Sequence, residues 1–293
     1  YPRRAIVFIM RPEIERAVQL LQSGKPESAE EALALLQRTV FSFSMKVCGH
    51  REDAEDTMQE TLLRAARQLR DFDSPQALAV WLYKVARSRC LMSRRRSKFA
   101  PQHQLSLEDV MPDRADLEMV TSKDHGSSPE QELLRAENRD ELQKAVLRIP
   151  PLYRQVLVLH DMEELSPDEI ARITGLRPGT VRVRLHRARA FLRNELAARP
   201  REHRRARPAK RPSTRCRQMF SVLSDYLDRA LPPDMCEKLE AHLAGCKPCV
   251  GYLASLEETV RRLKRHGTEP PSPKVVAEVR EKLARVLQAA SVS

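Results

Sequence analysis

The sequence predicts an all-α protein, in which two small helical domains precede a small helical domain that carries a cluster of cysteine and histidine. Apolar residues recur at helical spacing along most of the 293 residues, and no stretch alternates apolar and polar residues for long enough to indicate a strand. Serine–proline pairs and glycines stand where periodic segments begin and end, which is typical of capped helices.

The composition narrows the class of partner. Lysine and arginine number 52 against 40 acidic residues, for a net charge of +12, which suits a polyanion. Aromatic residues make up only 4%, so surfaces that stack single strands must be few. No apolar run approaches the roughly 18 residues of a membrane span, and a cytoplasmic protein without membrane contact is expected. Six unevenly spaced cysteines favour metal or redox use over a disulfide framework.

Helices are predicted over residues 13–22, 27–48 and 53–69. The third has an apolar stripe formed by Ala54, Met58, Leu62, Ala65 and Leu69. Its outer face is acidic and is formed by Asp53, Glu55, Asp56 and Glu60. Because carboxylates repel phosphates, this face is not expected to bind DNA. An ordinary solvated helix face is the alternative.

A further helix begins at Ser74-Pro75, with a serine cap followed by proline. Its apolar side carries Leu78, Trp81, Leu82 and Val85. Residues 84–98 then contain seven basic residues and no acid, so the end of this helix is strongly cationic.

Two segments have the composition of linkers. Residues 99–129 contain three prolines and six acidic residues against two basic ones, and are expected to form a tether between two domains. Helices resume over 129–147 and 151–161. Residues 197–217 hold nine basic residues against Glu202, together with three prolines, and are expected to include an extended cationic linker.

Residues 165–193 predict two short helices around a tight turn, which is a helix-turn-helix. Ser166 can cap the first helix, Pro167 suits its first position, and Glu169 completes a capping box. Gly175 ends this helix. Its inward face is formed by Ile170, Ala171 and Ile173.

The second of these helices begins near Pro178 and has the composition of a DNA-reading helix. Its inward stripe is Val181, Leu185, Ala188 and Leu192. Its outward face carries Arg182, Val183, His186 and Arg187. Residues 177–193 contain six arginines and no acid, whereas a solvated helix normally includes glutamate. A basic surface helix of a bundle is the alternative.

Near the C-terminus, His242, Cys246 and Cys249 form an H-x3-C-x2-C motif. His242 and Cys246 share a helix face, and the C-x-x-C turn brings Cys249 to the same point, so three ligands converge as tetrahedral Zn²⁺ requires. A dithiol redox pair and a zinc deaminase are the alternatives. The first would lack its βαβ context, and the second would lack the glutamate of H-x-E.

The other cysteines and the last helix complete the C-terminal part. Cys236 lies six residues before His242, about 240° round the helix, and is expected to be a free thiol. Cys48 and Cys90 lie on apolar helical stretches and are expected to be buried. After EPPSP, an amphipathic helix over Pro273 to Ala290 places its apolar residues on one side.

Three stretches together resemble regions 2 and 4 of the extracytoplasmic-function (ECF) sigma factors of bacterial RNA polymerase. They are AEDTMQETLLRAARQL, SPQALAVWLYKVARSRCLMSRRRSK and the region from Ile149-Pro150 to Arg193. The resemblance covers about residues 27–196. The domains that it implies are an N-terminal extension (1–26), sigma region 2 (27–98), an acidic linker (99–129) and sigma region 4 with the helix-turn-helix (130–196).

The resemblance gives each charged surface of region 2 a role. The acidic face would dock on a coiled coil of the polymerase β′ subunit, and the acidic linker would follow the RNA path, so the partners are core polymerase (β′ and β) and promoter DNA. The residues implied to bind the −10 element are Trp81, Tyr83, Lys84, Arg87 and Ser88. A single tryptophan on an apolar stripe equally suits a core position.

In region 4 the resemblance places the second helix in the major groove of the −35 element. Arg182, His186 and Arg187 would contact base edges, and Val183 a thymine methyl group. The residues implied to bind phosphates are Arg177, Thr180, Arg184 and Arg189.

The C-terminal part resembles the zinc-binding anti-sigma domain, in which a distant Cys or His precedes H-x3-C-x2-C. The Zn²⁺ ligands that it implies are Cys216, His242, Cys246 and Cys249. The implied parts are a basic linker (197–214), a zinc-binding domain (215–266) and a C-terminal helix (267–293) that wraps on the sigma domains. An intramolecular contact would let this tail inhibit its own sigma domains in cis, because tethering gives a high effective concentration. An activating or merely stabilising tail is the alternative.

The sequence therefore predicts a sigma factor that gives RNA polymerase its promoter specificity, without a catalytic constellation of its own. A zinc-dependent helix-turn-helix repressor that acts without polymerase is the rival. It predicts a symmetric dimer that binds its operator tightly without any polymerase.

Overall fold

The computed structural model describes residues 12–22, 26–68, 72, 74–95, 105–111, 131–197 and 213–291. Side chains are described at all of these except 26–27, 92–95, 131–139 and 287–291. The helices of the described residues are, in chain order, Pro12–Gln22 (α1), Pro26–Cys48 (α2), Arg51–Gln68 (α3), Pro75–Arg95 (α4), Leu107–Val110 (α5), Gln131–Arg148 (α6), Pro151–Leu157 (α7), Pro167–Thr174 (α8), Pro178–Leu196 (α9), Thr214–Phe220 (α10), Leu223–Leu227 (α11), Pro233–Gly245 (α12), Lys247–Arg265 (α13) and Pro273–Ser291 (α14).

The described residues fall into two compact units, and each contains parts that are distant in sequence. The first unit takes its residues from Val7–Pro101, Val158–Pro178 and Gly267–Ser293. The second unit takes its residues from Gln102–Leu157 and Gly179–His266. The all-α fold class predicted from the periodicity is confirmed for the described residues, and the helix-turn-helix precedes the cysteine-bearing helices, as predicted.

Helices α1 to α4 form the core of the first unit. The apolar stripe predicted for α3 is confirmed, because Ala54, Met58, Leu62 and Ala65 are each fully buried; its fifth member, Leu69, lies outside the described residues. Helix α1, which the sequence analysis assigned to an N-terminal extension, packs on α2 and α4. Its buried side chains are Ile14, Ala17, Val18 and Leu20.

The C-terminal helix α14 also belongs to the first unit, where it packs on α2 and α3. Val279 and Leu283 of its predicted apolar side are 0% and 3% exposed. The segment before α14 is held by polar contacts. The backbone N–H of Ser272 donates to Glu55 Oε1 at 2.9 Å, and the Arg51 guanidinium donates to the carbonyl oxygen of Pro270 at 2.8 Å.

Residues 158–178 form the remaining part of the first unit. A π-helix over Val158–Met162 follows α7, where the sequence analysis expected a plain α-helix to residue 161. The capping box of α8 is confirmed, since Ser166 Oγ accepts from the N–H of Glu169 at 3.3 Å and Glu169 Oε2 accepts from the N–H of Ser166 at 2.8 Å. Gly175 ends α8 in the left-handed conformation, with φ of +73°.

The second unit combines α6, α7 and α9 with α5 and with the cysteine-bearing helices α10 to α13. The expectation that residues 99–129 form an unpacked tether is wrong for residues 105–111. Leu105 and Val110 are buried there, and the carbonyl oxygen of Val110 accepts from Asn194 at 2.9 Å. The buried apolar side chains of Leu105 and Val110 anchor this short segment.

Several predicted segments lie outside the described residues. These are residues 1–11, most of the acidic linker, and all of the basic linker from 198 to 212. Among the helices of the described ranges, none combines the length and the apolar character that crossing a membrane requires.

The two glycines of the helix-turn-helix give a prediction for stability. Gly175→Ala should lower the free energy of unfolding by about 1 kcal/mol, because a Cβ is disfavoured in the left-handed conformation. Gly179, inside α9, has open space for a Cβ, so Gly179→Ala should leave stability unchanged or raise it by roughly 0.5 kcal/mol. Urea unfolding of the full chain measures both, and equal effects of the two substitutions would contradict the assignment of strain to Gly175.

Candidate nucleic-acid interface and metal centre

Helix α9 is anchored by the apolar stripe that the sequence predicts. Its members are each no more than 1% exposed, and they are Val181, Leu185, Ala188 and Leu192. Because the stripe fixes the rotation of the helix, it decides which side chains face outward. Arg182 and Val183 are exposed, with Val183 at 48%.

The other predicted DNA contacts of the helix-turn-helix differ in how exposed they are. Arg177 and Thr180 are exposed. Arg184 is half-buried, with its guanidinium 5.9 Å from the centre of the Tyr153 ring. Arg187 is also half-buried and donates to the carbonyl oxygen of Leu105 at 2.7 Å.

His186 and Arg189, which the sequence analysis assigned to DNA, are buried under α10 and α11. Arg189 is 1% exposed and binds both carboxylate oxygens of Asp228 at 2.8 Å. The His186 ring lies edge-on to Phe220, with centroids 4.9 Å apart, and its Nδ1 is 3.2 Å from Ser224 Oγ. Burial, and then the charges of Arg189 and Arg187, lower the pKa of His186 to about 4.

Arg193 extends this covered surface by one helical turn, and the sequence analysis did not assign it a role. Its guanidinium lies 4.5 Å from the centre of the Tyr252 ring, and its Nε donates to Ser255 Oγ at 3.1 Å. Tyr252 in turn packs edge-on to Phe220 at 5.2 Å. The only sequence signal was the place of Arg193 on the arginine-rich helix.

Two carboxylates of the cysteine-bearing part face the arginines of α9. Asp228 binds Arg189, and Asp225 is half-buried on α11, where its charge interacts with Arg182. Burial raises the pKa of Asp225, Arg182 opposes that rise, and Asp228 adds to it. Carboxylate oxygens and phosphate oxygens are both strong acceptors for guanidinium groups. Asp225 and Asp228 therefore interact with guanidinium groups of the kind that bind DNA phosphates.

The structure brings the four predicted metal ligands together. The ligand atoms of Cys216, His242, Cys246 and Cys249 all lie within 4.8 Å of one another. The sulfurs of Cys216 and Cys246 are 3.9 Å apart, and His242 Nε2 is 3.3 Å from the sulfur of Cys249. A tetrahedral zinc ion with Zn–S bonds of about 2.3 Å separates two sulfurs by roughly 3.8 Å. The residues present therefore fit a zinc ion.

The protonation of this cluster differs from ligand to ligand. Burial raises the pKa of the Cys249 thiol, and the nearby Cys246 and Cys216 raise it further. Burial also acts to raise the pKa of Cys216, but hydrogen bonds from Ser213 and the neighbouring thiols outweigh it, so the net shift is downward. Burial and then the charge of Arg215 lower the pKa of His242, which favours the neutral imidazole that binds metals.

The helices that carry the ligands also carry the side chains that cover α9. Cys216 and Phe220 lie one turn apart on α10, and Cys249 and Tyr252 lie three residues apart on α13. The Phe220–Tyr252 pair lies against His186 and Arg193. Helices α10 and α13 therefore join the ligand cluster to the aromatic side chains that cover α9.

The other cysteines take separate positions. Cys236 is a free thiol, 3.8 Å from the carbonyl oxygen of Leu231, and is not part of the cluster. Cys48 and Cys90 are buried, and they form a disulfide between α2 and α4. The sequence analysis expected their burial but not this bond, because residues 42 positions apart give no signal of pairing.

The predicted acidic face of α3 is only partly open. Asp56 is exposed, Asp53 is half-buried, and Glu60 binds Arg64 at 2.8 Å. Glu55 is half-buried and accepts hydrogen bonds from Arg51 and from the backbone of Ser272. The segment that leads into α14 therefore lies on this face.

The residues predicted for the −10 element divide into two groups. Lys84 and Ser88 are exposed and Arg87 is half-buried, while Trp81 is half-buried and lies edge-on to Phe72 at 5.4 Å. Tyr83 is 2% exposed. Side chains of the basic run after Leu91 lie outside the described residues.

Three protein-family models match successive parts of the chain. The model "Sigma-70 region 2" matches residues 33–99, and the model "Sigma-70, region 4" matches residues 139–192. The model "Putative zinc-finger" matches residues 216–249. Two of the three models thus describe regions of sigma-70 proteins, and they match in the order region 2, region 4.

Curated relatives carry the assignment further. The chain is 27% identical to "ECF RNA polymerase sigma factor SigW" of Bacillus subtilis over 64% of this chain and 98% of the relative. It is 33% identical to "ECF RNA polymerase sigma factor SigE" of Mycolicibacterium smegmatis over 54% of this chain and 57% of the relative. It is 27% identical to "RNA polymerase sigma-H factor" of Pseudomonas aeruginosa over 62% of this chain and 93% of the relative. The chain thus carries sigma-70 regions 2 and 4 followed by a zinc-finger-type module, and these relatives are named RNA polymerase sigma factors.

The buried imidazole gives a prediction for pH dependence. The pKa of His186 is about 4 in the folded chain and about 6.5 in an unfolded one. Above pH 6.5 both states are neutral and the group has no effect. Between pH 6.5 and 4 only the unfolded state takes up the proton, so stability falls, by about 2 kcal/mol at pH 5.

Urea unfolding of the wild-type chain and His186→Gln at pH 7.5 and pH 5 measures this contribution. Gln stays neutral, so acidification should cost the wild type about 2 kcal/mol more than the variant. The opposing effect of Asp225 is common to both proteins and cancels. The same acid sensitivity in both chains would contradict the burial of His186 as its source.

Proposed function

We propose that the chain is a sigma factor that directs core RNA polymerase to promoter DNA, and that its zinc-binding module covers the −35-reading helix in cis. The first part rests on the matches to both sigma regions and on relatives named RNA polymerase sigma factors. The repressor that acts without polymerase finds no support among these relatives. The observation that carries the second part is the buried contact of Arg189 with Asp228.

In this proposal α9 binds the major groove of the −35 element. Arg182, His186 and Arg187 contact base edges, and Val183 meets a thymine methyl group. The phosphate contacts come from Arg177, Thr180, Arg184 and Arg189. We call the chain closed when the module lies against α9. In this closed chain Arg182, Val183 and Thr180 are exposed, but His186 and Arg189 are not. Full reading of the element therefore requires the module to leave α9.

Region 2 has two roles in this proposal. The −10 element is bound by Trp81, Tyr83, Lys84, Arg87 and Ser88, which combine aromatic surface with positive charge, as melted DNA requires. Core polymerase, through its β′ subunit, docks on the acidic face of Asp53, Glu55, Asp56 and Glu60. The backbone N–H of Ser272, before α14, donates to Glu55 Oε1. Docking of the β′ subunit and this hydrogen bond therefore compete for the same carboxylate.

A zinc ion held by Cys216, His242, Cys246 and Cys249 is the proposed cofactor. When bound, such an ion contributes folding free energy directly, since it joins parts of the chain that share little core. The ligands come from α10, α12, the α12–α13 turn and α13, and α10 and α13 also carry Phe220 and Tyr252, which lie against α9. Zinc thus stabilises the cover, and its loss or the oxidation of the thiolates would release it.

Transcription with a charge-neutral variant tests the function and the cover together. Asp228→Asn removes the charge that holds Arg189 while it keeps the shape of the side chain. A charge-assisted hydrogen bond contributes about 1.5–3 kcal/mol, so the variant should yield roughly tenfold more run-off transcript with core polymerase than the wild type. Asp234→Asn is the matched control, because Asp234 is exposed and pairs only with Lys238 in its own helix.

This assay distinguishes failure of the proposed sigma function from failure of the proposed cover in cis. Absence of transcript from every variant on genomic DNA fragments, with core polymerase present, would overturn the sigma function. Equal transcript from wild type and Asp228→Asn would overturn the cover in cis and leave the sigma function standing. Less transcript from Asp228→Asn would indicate an activating module.

Metal analysis of the purified chain tests the cofactor. The wild type should carry about one zinc per chain, and Cys249→Ser should lose it and melt at a lower temperature, because the site loses its most buried sulfur. Cys236→Ser is the control and should keep both zinc and melting temperature, since Cys236 lies outside the cluster. Full zinc content in Cys249→Ser, or its loss in Cys236→Ser, would refute the ligand set.

A further inference from the structure

A carboxylate from the sigma region 4 segment is buried inside the region 2 part of the first unit. The side chain of Glu163 is fully buried. Its Oε1 accepts from the ammonium of Lys46 on α2 at 2.9 Å, and its Oε2 accepts from the hydroxyl of Tyr83 on α4 at 2.7 Å. Neither residue is near Glu163 in sequence, so the contact joins three separate parts of the chain.

The backbone before Glu163 is shaped to deliver this carboxylate. The π-helix Val158–Met162 ends with the N–H of Glu163 donating to the carbonyl oxygen of Val158 at 2.9 Å. One extra residue in a turn rotates the following side chain by about 100°, so an α-helical continuation would aim Glu163 elsewhere. Glu164 then takes a positive φ of 58°. Short π-helices are rare and are frequently found at functional sites.

The pocket that receives Glu163 is built from hydrogen-bond donors. Lys46 and Tyr83 are each 2% exposed, and the Phe43 ring lies edge-on to Tyr83 at 5.0 Å. An ammonium and a phenolic hydroxyl on an apolar floor form an anion site, because a buried ammonium needs a negative partner. A phosphate offers the same acceptors as a carboxylate.

The position of the pocket indicates which anion it would take. Tyr83 precedes the exposed Lys84 on α4, and the same helix carries Trp81, Arg87 and Ser88. We propose that Lys46 and Tyr83 form a site for a backbone phosphate of single-stranded promoter DNA, and that Glu163 occupies this site in the closed chain. The proposal rests on the proposed function for the role of α4, and it makes Lys46 a DNA-binding residue.

This site works separately from the zinc-dependent cover. The pocket lies in the first unit, whereas the metal ligands and the covered side of α9 lie in the second. Glu163 also ties the segment before α8 to region 2. Promoter strand and Glu163 therefore exclude one another, and DNA that enters the pocket displaces the start of the helix-turn-helix from α2 and α4.

Binding of single-stranded DNA by the full chain, without polymerase, tests the proposal. The probe is a fluorescein-labelled 15-nucleotide strand of mixed sequence, and the measurement is anisotropy over a range of salt concentrations. Glu163→Gln should bind roughly tenfold more tightly than the wild type at low salt, because the occupant loses its charge. The slope of log K against log salt should steepen by about 0.7, which corresponds to one more phosphate contact.

Two matched controls separate the pocket from net charge. Glu164→Gln makes the same change of charge at an exposed neighbouring residue and should alter the affinity far less than Glu163→Gln. Adding Lys46→Gln to Glu163→Gln should remove both the tighter binding and the extra slope. Adding Arg38→Gln, at an exposed position of α2, should leave the extra slope in place. Should Glu163→Gln fold poorly in a thermal melt, Glu163→Asp replaces it with Glu164→Asp as its control. The shorter carboxylate cannot reach both donors, so Glu163→Asp should bind the strand more tightly than that control.

Equal binding by Glu163→Gln and Glu164→Gln would overturn the proposal, and so would an unchanged slope after loss of Lys46. Because the assay contains no polymerase, its result is independent of the transcription experiment. The transcription experiment can fail while the pocket still binds DNA, and the pocket can fail while the chain still directs transcription.

Discussion

The structure of the second unit depends on a buried guanidinium that needs a counter-charge. Arg189 is 1% exposed, and an unpaired charge at that depth would cost several kcal/mol. Asp228 supplies the counter-charge with two hydrogen bonds of 2.8 Å. Helix α9 can therefore hold Arg189 in this position only while α11 stays against it. The module thus stabilises α9 by compensating the buried charge of Arg189.

In the proposed function, the contact between α9 and the module depends on zinc in the ligand cluster. The large apolar side chains buried in the module between residues 213 and 265 are Met219, Phe220, Leu223, Leu239, Tyr252, Leu256 and Leu263. Small domains with a core of this size usually need a metal or disulfides. Phe220 and Tyr252 lie on the helices that supply Cys216 and Cys249. A proposed zinc ion that holds these helices also holds the aromatic pair against His186 and Arg193. In the proposed function, occupancy of the cluster by zinc and access of DNA to α9 are therefore coupled.

The sequence predicts what depends on local spacing and misses what depends on distant partners. The stripe from Val181 to Leu192, the capping box at Ser166 and the turn at Gly175 follow from periodicity and cap chemistry. The burial of Arg189 does not, because its partner Asp228 is 39 residues away and an arginine on a basic helix is expected to face solvent. The π-helix that aims Glu163 at Lys46 likewise has no signature in composition or spacing.

The two units use the same electrostatic device. In each, a carboxylate of the chain itself binds a cation that is proposed to bind DNA: Asp228 holds Arg189, and Glu163 holds Lys46. A chain with a net charge of +12 would otherwise bind any nucleic acid through these groups. Salt screens exposed charges strongly and buried pairs weakly. Rising salt should therefore weaken non-specific DNA binding before it opens these internal pairs, and in the proposed function the pairs limit binding of the chain to DNA that lacks a promoter.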